Sequence, residues 1–415
     1  MRAVAGAVLG LLVLGLVMAA GLLVPWSRPP APRTEQLAAL AELPAEQVAR
    51  GKALQAALRL PSYGSLLLGL VVALGLGLTP LGARLVDAVA RPFGGHWLAA
   101  AVLGGLAVVF AGQVVTLPLS AWRHAVLVRH GLSTQGWGGW SADLLRAYLV
   151  TAVLAGVALG GFFTLTRFFP RWWWVVAAAG AAGLVVLFAF VFPVLVEPVF
   201  NRFTPMEPGP LRDSLMDLAA RDGLPVRDVL VADASRRTRA VNAYVSGLGP
   251  TRRIVVFDTL LEQAPPAEVE SVVAHELAHA RYRDVAVSTL LGALGAAAMV
   301  VGWYLLGGWG GLLRAAGVGS VTQPRAVALL VAVATVAGVL AAPAQALVSR
   351  RVEARADAHA LALTGDPAGF AAMQARLSGV NLADPDPPAW ERLLRSHPST
   401  VERIAMARVY QQERD

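Results

Sequence analysis

The chain reads as a mainly α, polytopic membrane protein with about seven transmembrane helices, joined to a small α+β block outside the bilayer. Three observations predict this. The composition is 56% hydrophobic and only 15% charged, with mean hydropathy +0.59, far more apolar than an ordinary soluble domain. Seven apolar runs reach the roughly 20 helical residues needed to cross a hydrocarbon core of about 30 Å. Two polar blocks, 197–284 and 348–415, follow the fifth and seventh runs, and the first of them holds short β-prone segments between turn residues.

In chain order the predicted spans are 3–25, 62–82, 97–118, 147–166, 172–195, 285–306 and 326–346. Asp143 and Arg146 stand beside the start of the fourth, and Pro80 and Pro118 near the ends of the second and third. Trp97, Trp122, Trp172, Trp173, Trp174 and Trp303 fall at or near these boundaries, as interfacial aromatics do. The first run has about 22 apolar residues, more than a cleaved signal peptide uses, so it is expected to be retained.

Residues 27–60 form a helical loop outside the membrane, with Glu42, Glu46 and Arg50 at four-residue spacing. Within the first polar block, Val229–Asp233, Ala243–Ser246 and Ile254–Phe257 suggest a small sheet. A helix from about Pro266 to Asp284 follows, because Pro265 and Pro266 suit a first turn, Glu268 and Glu270 suit its positive end, and Arg281 and Arg283 the other. Residues 381–390, with Pro385, Pro387 and Pro388, form an irregular connection. The organisation is therefore 1–196 with five spans, 197–284 as one polar block, 285–347 with two spans, and 348–415 as a second polar block.

The chemistry concentrates in His275-Glu276-Leu277-Ala278-His279. Histidines at i and i+4 share one helical face, where both rings reach one metal ion, and Glu276 is placed to act on the metal's water. Chance supplies far fewer than one such pattern in a chain with only 7 histidines. The two polar blocks are separated by two crossings, so they face the same side. Glu353 and Asp357, directly after the seventh run, are four apart on one face. Glu353 would complete a His2Glu zinc site with an open fourth position, and Asp357 would accept from the free ring nitrogen of His275. Spacing alone does not choose between this and pairing with Arg350, Arg351 or Arg355 on a solvated helix.

These residues resemble the type I CAAX prenyl protease family of integral membrane zinc metalloproteases. The resemblance covers most of residues 120–410. Its landmarks run in order through Gly131–Gln135, Phe200–Pro205, Asn242–Tyr244, Arg253–Leu260, the His275–His279 motif, Ser349–Asp357, Ser396–Pro398 and Glu402–Arg403. It implies His275, His279 and Glu353 as zinc ligands, Glu276 as general base, and His397 and Arg403 as residues facing the active site. Asn242, with Ala243 and Tyr244, is implied to start an edge strand that holds the substrate backbone. The helices are implied to enclose an intramembrane chamber, with one zinc ion per chain near one membrane face.

The mechanism implied is peptide hydrolysis in which Glu276 moves the proton and His397 with Arg403 stabilises the oxyanion. Read without the family, His397 is more simply a surface or capping residue. His359 points off the Glu353 face and is a bystander, and His96, His124 and His130 carry no partner pattern.

A net charge of +8 and pI near 10.6 come from dispersed arginines, which fit a protein facing anionic lipid and not nucleic acid. The local cluster Ser235–Arg239 fits a solvated loop. Zero cysteines exclude disulfides and thiolate ligands. Short loops on the two sides carry equal basic charge, and Arg202, Arg281, Arg283, Arg350, Arg351 and Arg355 favour a cytoplasmic catalytic side.

Lys52 is the sole lysine among 35 basic residues, which points to a GC-rich bacterial genome and hence the plasma membrane. The expected substrate is a peptide or protein, prenylated or membrane-inserted, met by a monomer. A quality-control zinc protease is the alternative. A transporter or channel is remote, because paired broken helices and charged residues within spans are lacking.

Overall fold

The computed structural model describes every residue except Arg28, Pro29 and Leu248. Among the described residues, seven helices are long and apolar enough to cross a membrane: Arg2–Leu23, Ala45–Gly77, Trp97–Arg129, Trp137–Phe168, Trp173–Phe200, Asp284–Leu306 and Pro324–Thr364. The protein is an integral, multi-pass membrane protein. Each helix contains most of its predicted run, and the differences lie at the ends.

The second run was expected to reach 82, but its helix stops at Gly77. Thr79 Oγ1 accepts from Leu81 N–H at 3.3 Å and Pro80 starts a new helix, Pro80–Ala90. A hydroxyl cap followed by proline begins a helix and cannot continue one. The fourth helix begins ten residues earlier than its run, at Trp137. Its charged residues are tied down there, Asp143 accepting from Arg146 at 2.6 Å and facing Arg237 at 2.9 Å.

The seventh helix matters most for function. Its apolar part ends near 346, yet it continues to Thr364, where Gly365 takes a left-handed conformation with φ 66° and ends it. At 1.5 Å per residue, Glu353 lies about 10 Å beyond the apolar part, carried there on a rigid rod.

Beside it sits a four-stranded sheet in the order β1-β2-β4-β3, with β1 Phe203–Pro205, β2 Asp228–Ala232, β3 Ala243–Ser246 and β4 Arg253–Phe257. β2 and β4 are parallel, and β3 runs antiparallel to β4 at one edge. The three expected strands are present, and β1, unforeseen, is a short edge strand antiparallel to β2.

The inward faces of β2 and β4 bury Val229, Ile254 and Val256 in one core with Val269, Val273 and Leu277. Those last three lie on the motif helix, Pro266–Arg281. The helix does start at Pro266, but it ends three residues before the expected Asp284. Arg283 turns left-handed at φ 56°, and Asp284 becomes the first residue of the sixth span. Residues 381–388 are irregular, but the connection expected to reach 390 ends earlier, where Ala389–Arg392 forms a turn of helix after Pro387 and Pro388.

Candidate active site

The motif helix presents His275 and His279 toward the seventh helix, and Glu353 meets them there. His275 Nε2 lies 3.2 Å from Glu353 Oε2, His279 Nε2 3.6 Å from Glu353 Oε1, and the two Nε2 atoms are 3.3 Å apart. Three donor atoms, one from each residue, thus fall within 4.8 Å of one another, close enough to bind a single ion. His275 and Glu353 are buried.

The far side of each imidazole is held by a carboxylate. His275 Nδ1 is 2.8 Å from Asp357 Oδ1, and His279 Nδ1 is 2.9 Å from Asp284 Oδ2. A carboxylate at Nδ1 draws the ring proton to that nitrogen and leaves the Nε2 lone pair facing the shared centre. Once the Nε2 protons are lost, two lone pairs and a carboxylate face one another, an arrangement that a cation between them relieves. Glu353 Oε2 is buried and faces His275 Nε2 at 3.2 Å, which fits the same reading. The donor set of two imidazoles and one carboxylate therefore fits a divalent metal with a fourth position open.

Each carboxylate is itself anchored. Arg403 Nε donates to Asp357 Oδ2 at 2.9 Å and its Nη2 donates to Asp357 Oδ1, a two-pronged grip on a carboxylate that is 0% exposed. Arg355 grips Asp284 and lies over the ring of Tyr282, 4.4 Å from its centre. Sequence reasoning did not find Asp284 or Arg355 in these roles. Asp284 is five residues from His279 across a left-handed turn, and no helical spacing signals that contact.

Burial pulls the His275 imidazole down, but the Asp357 carboxylate beside it more than reverses this and holds the ring up at about 10. That preference for positive charge is what a metal exploits once it displaces the proton. Burial pushes the Glu276 carboxyl above its ordinary value, while His275 and His279 oppose the rise. A carboxylate moved toward neutrality is better matched to accepting a proton near pH 7.

A cavity of about 500 Å³ opens onto the group, lined by Asn242, His275, Glu276, His397 and Arg403 among others. His397 Nε2 reaches to 3.4 Å from Glu353 Oε1, and its Nδ1 is 2.8 Å from Ser396 Oγ. Its surroundings desolvate the ring and lower its pKa, with Glu353 opposing and Arg403 and His275 adding to the fall, although 60% of the side chain stays open. A neutral ring can still donate one hydrogen bond.

Asn242 immediately precedes β3, whose outer edge is open. Phe257 N–H donates to Asn242 C=O at 3.0 Å. Antiparallel pairing alternates, so Ala243 and Val245 turn their main-chain groups outward. Tyr244, instead, directs its hydroxyl to Glu197 at 3.5 Å. His359 bonds Asp222 at 2.9 Å, outside the cavity lining.

Two family models match this chain. Residues 55–202 match the CAAX prenyl protease N-terminal model, described as five membrane helices, and residues 205–411 match peptidase family M48. An uncharacterized metalloprotease, YhfN, of Bacillus subtilis is 28% identical over 301 residues, 71% of this chain and 70% of that protein. CAAX prenyl protease 1 of Saccharomyces cerevisiae is 34% identical over 168 residues, 40% of this chain and 37% of that protein. The CAAX prenyl protease 1 homolog of Oryza sativa is 28% identical over 303 residues, 72% of this chain and 71% of that protein. The crystal structure of S. mikatae Ste24p superposes with TM-score 0.79 at 21% identity, covering 98% of this chain and 97% of that one. That likeness carries the fold.

Proposed function

From the premise that the chain belongs to the type I CAAX prenyl protease family and is a membrane metallopeptidase, we propose that it is a zinc endopeptidase whose site is the His275–His279–Glu353 group. The observation that carries the proposal is the convergence of these three donors beside Glu276, with His275 and Glu276 lining a cavity that Asn242, the residue before the edge strand β3, also lines. His275, His279 and Glu353 would hold one zinc ion. When bound, zinc supplies Lewis acidity and lowers the pKa of a water ligand.

The chain's own residues do the rest. The outward C=O of Ala243 and the outward groups of Val245 hydrogen-bond an extended substrate, with Asn242, whose Oδ1 accepts from Ala243 N–H at 2.9 Å, at the end of that edge. Glu276 takes the proton of the attacking water and passes it to the leaving amine. His397 donates to the oxyanion as it forms. Arg403, two of whose donors are committed to Asp357, acts by fixing His275 through that carboxylate.

We place the catalytic block on the cytoplasmic side of a bacterial plasma membrane and expect the chain to act as a monomer. The helices enclose a chamber through which a prenylated or membrane-inserted peptide reaches the site. The test is cleavage by the purified protein of a prenylated C-terminal peptide, its unprenylated form and an unfolded membrane protein. Faster cleavage of the prenylated peptide supports this reading, while preference for the unfolded protein supports the quality-control alternative.

A further inference from the structure

A second cavity, of about 720 Å³, shares a wall with the one that His275 and Glu276 line. Segment 377–383 lines both: Asn381 and Ala383 face the first, while Gly379, Val380 and Leu382 face the second. The partition is pinned by one side chain. Asn381 Oδ1 accepts from Val241 N–H at 2.8 Å and its Nδ2 donates to Val241 C=O at 3.2 Å.

The second cavity is cationic. Arg50, Arg239 and Arg376 line it together with Glu268. Arg376 is consumed by Glu268, at 2.6 Å. Among the described residues, neither Arg50 nor Arg239 has a salt-bridge partner for its guanidinium. Two free guanidiniums on a concave surface recognise a carboxylate or phosphate in their own plane.

Position decides which ligand. Arg50 stands 12 residues before the apolar part of its helix, which begins near 62, so at 1.5 Å per residue it is about 18 Å from the bilayer. Headgroups extend about 5–7 Å beyond that edge, which leaves about 11–13 Å to them, more than one Debye length at physiological salt, so their charge is largely screened at Arg50 and a substrate group is the better-placed ligand. Arg239 lies four residues ahead of Ala243, or about 13 Å of extended chain. A peptide lying antiparallel on the open edge of β3 runs from Ser246 toward Asn242, so its C-terminal portion leaves the edge in the direction of Arg239.

We propose that Arg50 and Arg239 form a subsite for a carboxylate of the substrate, three or four residues beyond the residue paired with Ala243. The carboxylate is either the chain's C-terminus or an acidic side chain. The proposal rests on reading β3 as the substrate strand.

The test uses full-length, zinc-loaded protein and two pairs of fluorescent peptides, one pair differing as C-terminal acid or amide, the other as Glu or Gln at that position. Binding is read by anisotropy on the Glu276→Gln protein, and cleavage on the wild type. One acidic member binds about tenfold tighter than its neutral partner, and the pair that shows the ratio identifies the source. Replacing both residues, Arg50→Gln with Arg239→Gln, removes the ratio and leaves the neutral peptide unchanged, while Arg239→Lys keeps part of it. Equal binding within both pairs, or a ratio that survives the double variant, overturns the subsite. A peptide bound with the acid preference but left uncut by the wild type would instead overturn the endopeptidase reading.

Discussion

Replacing Asp284 by alanine weakens zinc binding by about 10- to 100-fold, or about 1.4–2.7 kcal/mol. The magnitude follows from what the carboxylate does. Its Oδ2 lies 2.9 Å from His279 Nδ1, and it is 6% exposed at the first turn of the sixth span, where a helix favours negative charge. Without it His279 loses the partner that sets its tautomer and raises its basicity.

Arg355 is also orphaned, with a side chain 16% exposed. It keeps the face of Tyr282, so the loss in folding stability falls near the lower end of the about 3–5 kcal/mol typical of a broken buried pair. Asp284→Asn, which keeps one acceptor, falls between alanine and wild type. Competition with a chelator gives the affinity and a melting curve the stability. Alanine protein with wild-type zinc affinity would refute the argument that outer carboxylates tune this site.

Three further outcomes follow from the same geometry. Glu276→Gln binds zinc normally and loses about 10²–10⁴-fold in kcat, checked by metal analysis beside a cleavage assay. Arg403→Ala strands the fully buried Asp357 and costs about 3–5 kcal/mol, seen as a lower melting temperature; Arg403→Lys recovers only part, because an ammonium does not reproduce the two-pronged grip. Zinc affinity falls as pH falls. With His275 held at about 10 in the metal-free protein, its proton competes at every pH below that, costing about tenfold in affinity per pH unit, and titrations from pH 9 to 6 should show that slope.

The spans and the motif helix were legible in the sequence because each follows from a strong local rule. An apolar run near 20 residues has few alternatives to crossing a membrane, and Pro265-Pro266 before two glutamates marks a helix start. The ends were less legible. Gly77 ends a helix whose apolar run continues, and only Thr79 with Pro80 hinted at it. β1 is three residues long and contains Pro205, so it becomes a strand only through its pairing with β2.

For the site, the i,i+4 spacings of His275 with His279 and of Glu353 with Asp357 announced two helical faces. The structure brings those faces together, and the contact of His275 with Asp357 is present. The Arg403 grip spans 46 residues and the Asp284 contact rounds a left-handed turn, and local patterns carry neither. The pairing of Asn381 with Val241, across 140 residues, was equally invisible.

The central claim is that His275, His279 and Glu353 hold one catalytic zinc ion. The most direct measurement is peptide cleavage by the purified protein before chelation, after chelation, and after return of one equivalent of zinc, with metal content determined at each stage. The expected result is one zinc per chain, loss of cleavage with its removal, and recovery on its return. Cleavage that persists in zinc-free protein, or zinc that stays bound after His275, His279 and Glu353 are all replaced by alanine, would contradict it.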